Sequence, residues 1–113
     1  MLQDWKEFLG KGGAAIGALG KGNPELLQGY VALGKGASTK NVLGPKVREL
    51  IALAVAATTR CDTCIAVHAA EAVKQGASRE EVLEALAVAV DLNAGAALVY
   101  SSRILDAYDQ FKS

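Results

Sequence analysis

The chain has 113 residues, of which 51% are hydrophobic, and this length and composition indicate one domain with a buried core. Twelve basic residues balance twelve acidic ones, and the resulting formal charge of zero argues against nucleic acid or an anionic membrane surface as a partner. The first residues, MLQDWKEFLGKGG, carry acidic side chains and lack a continuous apolar stretch, so we predict no secretory signal and expect a cytoplasmic protein.

The first 22 residues are rich in glycine and are predicted to form a short helix followed by flexible chain. The tetrapeptide LGKG occurs at residues 9–12, 19–22 and 33–36, but the pattern of a phosphate-binding loop, with Gly-Lys-Ser/Thr four residues after a first Gly, is absent. We interpret each Leu-Gly as the end of a short helix, where glycine adopts the left-handed conformation. The sequence thus divides into this Gly-rich start, residues 1–22, and a helical domain, residues 23–113.

Two helices are predicted between the Gly-rich start and residue 59. Asn23 is suited to cap the first of them and Pro24 to occupy its first position, and this helix is expected to end near Gly34. The second begins at Pro45 and contains LIALAVAATT, residues 50–59, which carries no charge. A helix without charge on any side is typical of one buried all round, so we expect it to form the centre of the core.

The remainder of the chain predicts three more helical segments. One runs through DTCIAVHAAEAVKQ and stops at Gly76. The next is opened by a capping box of Ser78 and Glu81 and is expected to end near Asn93. After Gly95 a last helix carries the apolar residues Leu98, Val99, Ile104, Leu105, Tyr108 and Phe111.

The helical segments together predict an all-α fold of about five or six helices, because no segment alternates with period two for long enough to be a strand. The longest charge-free run, residues 92–102, is shorter than the roughly 18 residues that cross a membrane, so we predict no membrane span. Only 21% of the residues are charged, and the apolar helix faces exceed what one small monomer can bury. We therefore expect self-association through these faces.

Both cysteines and the only histidine lie within eight residues, CDTCIAVH at positions 61–68. Cys61, Cys64 and His68 are spaced i, i+3, i+7, so on a helix all three project from one side. Alpha carbons three residues apart on a helix are about 5 Å from each other, which is within the range of a disulfide. The pair can therefore be oxidised and reduced with little movement of the backbone.

The position of the cysteines at the start of a helix also favours redox chemistry. Unpaired backbone N–H groups at a helix amino terminus stabilise a thiolate, and Arg60 adds a positive charge, whereas Asp62 opposes both effects. Cys64 lies one turn before His68, whose imidazole can accept its proton directly or through a water. We accordingly assign Cys64 as the nucleophile and Cys61 as the resolving thiol.

Two other interpretations of these residues remain open. The cysteines and the histidine can be structural residues without chemistry, as isolated ones usually are. They can also bind a metal ion, but zinc prefers four ligands, and the chain offers two thiols and one imidazole unless Glu49 or a second subunit completes the site.

The order Glu49, eleven residues, Cys61, two residues, Cys64, three residues, His68 resembles the signature of the AhpD-like alkylhydroperoxidases, a branch of the carboxymuconolactone decarboxylase family. The similarity extends through NPELLQGYVALGKG before the motif and VDLNAGAALVYSSRILDAYDQF after it, roughly residues 24–108. A constellation of four residues with this long spacing is far more specific than a CxxC pair alone. The sequence departs from the better-studied members at Thr63, where they often have a further histidine.

The resemblance implies an enzyme, a CxxC-dependent hydroperoxide reductase with an AhpD-like helical fold. It implies that Cys64 is the peroxidatic thiol, that Cys61 resolves it as a disulfide, and that His68 and Glu49 relay the proton. It further implies a hydroperoxide substrate, an external dithiol reductant of the thioredoxin or lipoyl type, a homotrimer or homohexamer, and no cofactor or metal. The departure at Thr63 would weaken or reroute the proton relay.

Two competing functions are set against the peroxidase hypothesis. One is a decarboxylase or lactone enzyme like the other branch of the same family, which does not rely on a thiol pair. The other is a non-catalytic oligomer that senses redox state or holds a metal, in which the disulfide alters assembly.

Overall fold

The computed structural model of the chain describes residues 2–113 and contains five α-helices, with no β-strand in that range. The helices are α1 (Trp5–Gly22), α2 (Pro24–Ser38), α3 (Pro45–Thr59), α4 (Asp62–Lys74) and α5 (Arg79–Lys112). This architecture confirms the all-α prediction and the expected number of helices.

The centre of the molecule is α3, which packs against both α4 and α5. The buried apolar side chains of these three helices are mostly small: Leu53, Ala56, Ala66, Ala72 and Ala89. Alanine at these contact points allows helix axes to approach closely, and it also has the highest helix propensity. The core is therefore thin, and it is built from close backbone approach more than from large side chains.

The prediction that α3 is buried all round is wrong for the single chain. Ile51 is 48% exposed and Val55 is 53% exposed, although Leu53 and Ala56 on the opposite side are buried. Two neighbouring helices cover only part of a helix circumference, and no element of the described chain, residues 2–113, covers the remaining face. An apolar face of the central helix is thus left open to solvent.

The Gly-rich start is more regular than predicted, since α1 is one helix to Gly22 instead of a short helix and flexible chain. Each glycine inside a helix costs about 1 kcal/mol relative to alanine. That cost is offset by the cap at Asp4, which accepts a hydrogen bond of 3.0 Å from the Glu7 N–H, and by the packing of α1 against α2 and α4. Gly20 allows the close approach to α2, because a Cβ there would overlap Leu27.

Two predicted helix ends are not helix ends in the structure. The second helix continues past Gly34 to Ser38, and α5 continues through Asn93 and Gly95 as a single helix of 34 residues. Gly95 does not adopt the left-handed conformation that ends helices, and the Asn93 amide donates a hydrogen bond of 2.7 Å to the Ala89 carbonyl of its own helix. The two helices predicted after Ser78 are therefore one, about 50 Å long.

The C-terminal half of α5, residues 92–112, extends beyond the core and is largely apolar and exposed. Its exposed large side chains are Leu92, Leu98, Val99, Tyr100, Ile104, Leu105, Tyr108 and Phe111. One 18-residue window of α5 has a mean hydropathy of 1.8 and is only 6% buried, so by length and composition α5 could cross a membrane. A single helix of this kind is weak support for a membrane span, because apolar helices that pack inside soluble assemblies have the same properties.

Candidate redox site

The two cysteines lie where the chain passes from α3 to α4. Helix α3 is capped at its carboxyl end by Arg60, whose φ of 56° lies in the left-handed region and whose N–H donates a hydrogen bond to the Ala56 carbonyl. Cys61 follows as the N-cap residue of α4, and Cys64 lies in the first turn. Their sulfur atoms form a disulfide, with the two alpha carbons 5.2 Å apart. Cys61 and Cys64, whose spacing permits a disulfide, are thus bonded to each other.

The sulfur of Cys61 takes the place of the oxygen that usually caps a helix. The backbone N–H of Cys64 donates a hydrogen bond of 3.2 Å to Cys61 Sγ. A donor in this position also favours a thiolate on Cys61 when the disulfide opens, because N–H groups at a helix amino terminus stabilise negative charge. Cys61 is therefore well suited to be the sulfur that leaves when the disulfide is reduced.

The histidine is held by a carboxylate from the neighbouring helix. His68 on α4 and Glu49 on α3 form a hydrogen bond of 2.6 Å between Nδ1 and Oε2. The side chain of Glu49 is 16% exposed and that of His68 is 35% exposed, so the pair is shielded but open on one side. An ionised carboxylate can only accept, so Nδ1 is the donor in this bond, and Nε2 lies outside it.

Glu49 is available to His68 because the nearest lysine in sequence is engaged elsewhere. Lys46, three residues before Glu49, pairs at 2.9 Å with Glu81 on α5. The ordinary assumption for a glutamate at this spacing is a solvated ion pair with the lysine. The structure instead joins the four residues predicted for the site two by two, Cys61 with Cys64 and Glu49 with His68, and Cys64 and His68 are one turn apart on α4.

Metal binding has little support from this arrangement. Across residues 2–113 no group of three or more histidine, cysteine, aspartate or glutamate side chains is placed to hold an ion. Both thiols are engaged in the disulfide, and Glu49 is directed at His68. A metal would need thiolate ligands released from the disulfide and further ligands from outside the described chain.

A contact that the sequence did not reveal joins α1 to the redox motif. Gly12 is the buried residue of α1, and a Cβ at this position would lie 3.0 Å from both Cγ2 and Oγ1 of Thr63. Thr63 directly precedes Cys64. Its side chain packs against α1 at Gly12. Nothing in the sequence distinguishes Gly12 from the other glycines of the same segment.

An apolar cavity of about 550 Å³ lies between α3, α4 and α5. Its wall includes Leu53, Ile65, Ala69, Ala72, Val82 and Leu86, and its polar side chains are Ser78 and Arg79 at the start of α5. Ile65 directly follows Cys64 in α4. Of residues 61–68 only Ile65 contributes to the wall, and the space can hold an apolar group of moderate size.

Comparison with known proteins gives matches over nearly the whole chain. The sequence model of the carboxymuconolactone decarboxylase family matches residues 24–107. An uncharacterised protein of Haemophilus influenzae is 57% identical over 113 residues, all of both chains, and one of Cupriavidus necator is 32% identical over 109 residues, 96% of each. The crystal structure of an apo carboxymuconolactone decarboxylase family protein from Legionella pneumophila superposes with a TM-score of 0.72 and 33% identity, and the match covers 96% of this chain and 97% of that one.

Proposed function

The chain belongs to the carboxymuconolactone decarboxylase family, and within it we propose that the protein is a thiol-dependent hydroperoxide reductase that cycles the Cys61–Cys64 pair. The observation that carries this proposal is the bonded cysteine pair at the amino terminus of α4, next to an imidazole held by a carboxylate. This combination fits the AhpD-like branch of the family. The lactone-converting branch has no need of a thiol pair.

The first proposed step is attack on the peroxide by Cys64. The Cys64 thiolate attacks the terminal oxygen of ROOH, the O–O bond breaks, and the RO⁻ that leaves takes up a proton to become an alcohol. Sulfur is oxidised to a sulfenic acid and the peroxide is reduced by two electrons. His68 Nε2 is proposed to take the proton from the Cys64 thiol and to return it to the leaving oxygen, while Glu49 stabilises the imidazolium.

The second proposed step closes the disulfide and releases water. The Cys61 thiolate, stabilised by the Cys64 N–H, attacks the sulfenic sulfur, and the hydroxyl leaves with a proton. An external dithiol then attacks Cys64 Sγ and expels the Cys61 thiolate, and its second thiol completes the exchange. The N–H hydrogen bond to Cys61 supports these roles, since a stabilised thiolate is the better leaving group.

The apolar cavity supports an organic hydroperoxide as substrate in preference to hydrogen peroxide. Its volume of about 550 Å³ and its almost wholly apolar wall suit an alkyl or aryl group. In this proposal the alkyl or aryl group binds against Ile65, the residue that follows Cys64 in α4. We expect a higher kcat/KM with cumene hydroperoxide than with hydrogen peroxide.

The proposed partners are an external dithiol and further copies of the same chain. Half-exposed or fully exposed apolar side chains on α3 and α5 favour a homo-oligomer, a trimer or a hexamer. The proposed location is the cytoplasm. The dithiol is expected to be a small thioredoxin-like protein or a lipoyl group, because both present two adjacent thiols that can attack a partly buried disulfide.

The proposed function is tested by peroxide consumption with a panel of reductants. Purified protein is supplied with cumene hydroperoxide and with dihydrolipoamide, reduced thioredoxin or glutathione in turn. We expect turnover with at least one dithiol and little with the monothiol. Failure of every dithiol, with a disulfide that forms and opens but changes only the mass of the assembly, would favour a redox-sensing oligomer. Conversion of muconolactone by a variant without either cysteine would favour the decarboxylase alternative.

A further inference from the structure

We propose that Gly12 is a positioning residue for the redox pair, because its missing side chain lets α1 rest directly on Thr63 and hold the first turn of α4 in place. The inference rests on the proposed redox chemistry of Cys61 and Cys64. Its test, however, reads the disulfide itself and does not require turnover of peroxide.

The contact is specific to one glycine of α1. Gly12 is buried, and a Cβ there would lie 3.0 Å from two atoms of Thr63. Gly10, Gly13 and Gly17 belong to the same helix, but a Cβ at any of them would meet nothing within 4 Å. The absence of a side chain therefore has a packing consequence at position 12 and none at position 13.

The contact also lies within the segment that the disulfide closes. Thr63 is between the cysteines, inside the small ring that the disulfide closes, and the next N–H in the chain caps Cys61 Sγ. The rest of α1 packs on α2, and its main contact with the helices of the core is with α4. Helix α1 therefore supports the first turn of α4, whose N–H groups stabilise the thiolate.

The two redox states depend on this contact to different degrees. In the oxidised protein the disulfide itself restrains residues 61–64. In the reduced protein that covalent restraint is gone, and the packing of α1 on Thr63 remains to keep the first turn from fraying. Loss of the contact should therefore destabilise the reduced form more than the oxidised form, and it should shift the equilibrium towards the disulfide.

The experiment compares Gly12→Ala with Gly13→Ala as its matched control. Both variants add one methyl group to the same helix and gain the same helix propensity, but only the methyl at position 12 meets Thr63. The ratio of disulfide to dithiol is measured in glutathione buffers by alkylation and mass spectrometry. We expect Gly12→Ala to favour the disulfide by about three- to tenfold, where tenfold corresponds to about 30 mV, and Gly13→Ala to stay within about twofold of the wild type.

A second substitution separates positioning from a general loss of packing. Thr63→Ala removes Oγ1 and Cγ2, so it empties the space that a methyl at position 12 would enter. Thr63→Ala alone is expected to shift the equilibrium in the same direction as Gly12→Ala. The double variant Gly12→Ala/Thr63→Ala should lie closer to the wild type than either single variant, because the added methyl refills the contact.

The outcomes distinguish this inference from the proposed function. Equal equilibria for Gly12→Ala and Gly13→Ala, or additive shifts in the double variant, would overturn the role of Gly12 and leave the peroxidase proposal standing. A wild-type disulfide that no glutathione or dithiothreitol buffer opens would overturn both. If Gly12→Ala does not fold, Thr63→Ala alone decides, and an unchanged equilibrium in that variant overturns the inference.

Discussion

The region around the disulfide and the C-terminal half of α5 are built on opposite principles. Around the disulfide the polar groups are paired, and Glu49 is 16% exposed although it is a carboxylate. In the C-terminal half of α5 the apolar groups are uncovered, and Phe111 is 93% exposed although it is aromatic. One chain thus supplies every residue proposed for the chemistry, but it leaves the apolar side chains of the C-terminal half of α5 exposed. Substitutions in one region are therefore expected to leave the other region unchanged.

The largest effect is expected from Cys64→Ser, which should abolish peroxide consumption because the attacking sulfur is gone. Cys61→Ser should also stop turnover, but it should still allow one sulfenic acid per chain, which a dimedone adduct detects by mass. Neither substitution touches α5, so the mass of the assembly should stay unchanged in reducing buffer. Retained turnover in Cys64→Ser, or a dimedone adduct in that variant, would contradict the assignment of Cys64.

A smaller loss is expected from Glu49→Gln. The amide can still hydrogen-bond to His68 but carries no charge to stabilise the imidazolium, so the rate of peroxide consumption should fall by about 10- to 100-fold. Glu71→Gln is the matched control, since Glu71 lies on α4 and hydrogen-bonds to Gln75 away from the cysteines. An equal loss in both variants would mean that the effect is one of net charge or folding and not of the His68 contact.

The apolar region is tested by Leu105→Glu. Leu105 is 62% exposed in the single chain, and a charge there should oppose burial against another copy, where a leucine contributes about 1.5–3 kcal/mol. Light scattering should give a wild-type mass of three or six times 11.7 kDa and a lower mass for the variant. The disulfide should form normally in both.

The control for this substitution is Gln110→Glu, which adds the same charge to α5 at a position that pairs with Asp106 on the polar side of the helix. Its assembly mass should equal that of the wild type. A wild-type protein that is monomeric, or that is recovered only from membranes, would contradict the self-association proposal. The second result would instead favour α5 as a membrane helix.

Local signals in the sequence were sufficient where a helix end depends on its own residues. Asn23 accepts a hydrogen bond from the Leu26 N–H and Pro24 opens α2, as their positions predict. Ser78 and Glu81 form the predicted capping box, with bonds of 3.0 Å and 2.9 Å. Gly76 takes a φ of 81° just after α4, as predicted for the glycine that stops it. Each of these signals acts within about four residues, so no knowledge of the fold was needed.

Helix length and burial that depend on distant parts of the chain could not be predicted in the same way. Gly95 resembles a helix break in the sequence, but its φ is not positive, and α5 continues through it to Lys112. The uncharged sequence of α3 reads as complete burial, but Ile51 and Val55 are exposed because burial depends on how many neighbours a helix has.

The residues of the candidate site were only partly predictable from the sequence for the same reason. Cys61, Cys64 and His68 share a helix, so their spacing indicated their grouping. Glu49 comes from a different helix, and only the family resemblance singled it out. Gly12 comes from a third helix, and it carries no chemical signal at all.

The smallest effect is expected from the acid titration of Glu81, which joins the start of α5 to α3. The backbone N–H of Ser78, and secondarily the Lys46 ammonium, hold the pKa of this carboxyl below its ordinary value of 4.5. A carboxyl with a lowered folded pKa contributes stability that is fully present above the unfolded pKa, and this contribution is lost as the pH falls through the folded pKa. Glu81→Gln should therefore flatten the fall of the unfolding midpoint below about pH 4.5, by at most a few degrees because the group is exposed.

The control is Glu80→Gln, which removes a charge from the same turn without touching the capping bonds. This variant should keep the wild-type slope, and equal flattening in both variants would show that the cap does not carry the effect. Glu81 contacts Lys46 on α3 and Ser78 at the start of α5, and it makes no contact with the C-terminal half of α5. Its titration should therefore leave the mass of the assembly unchanged.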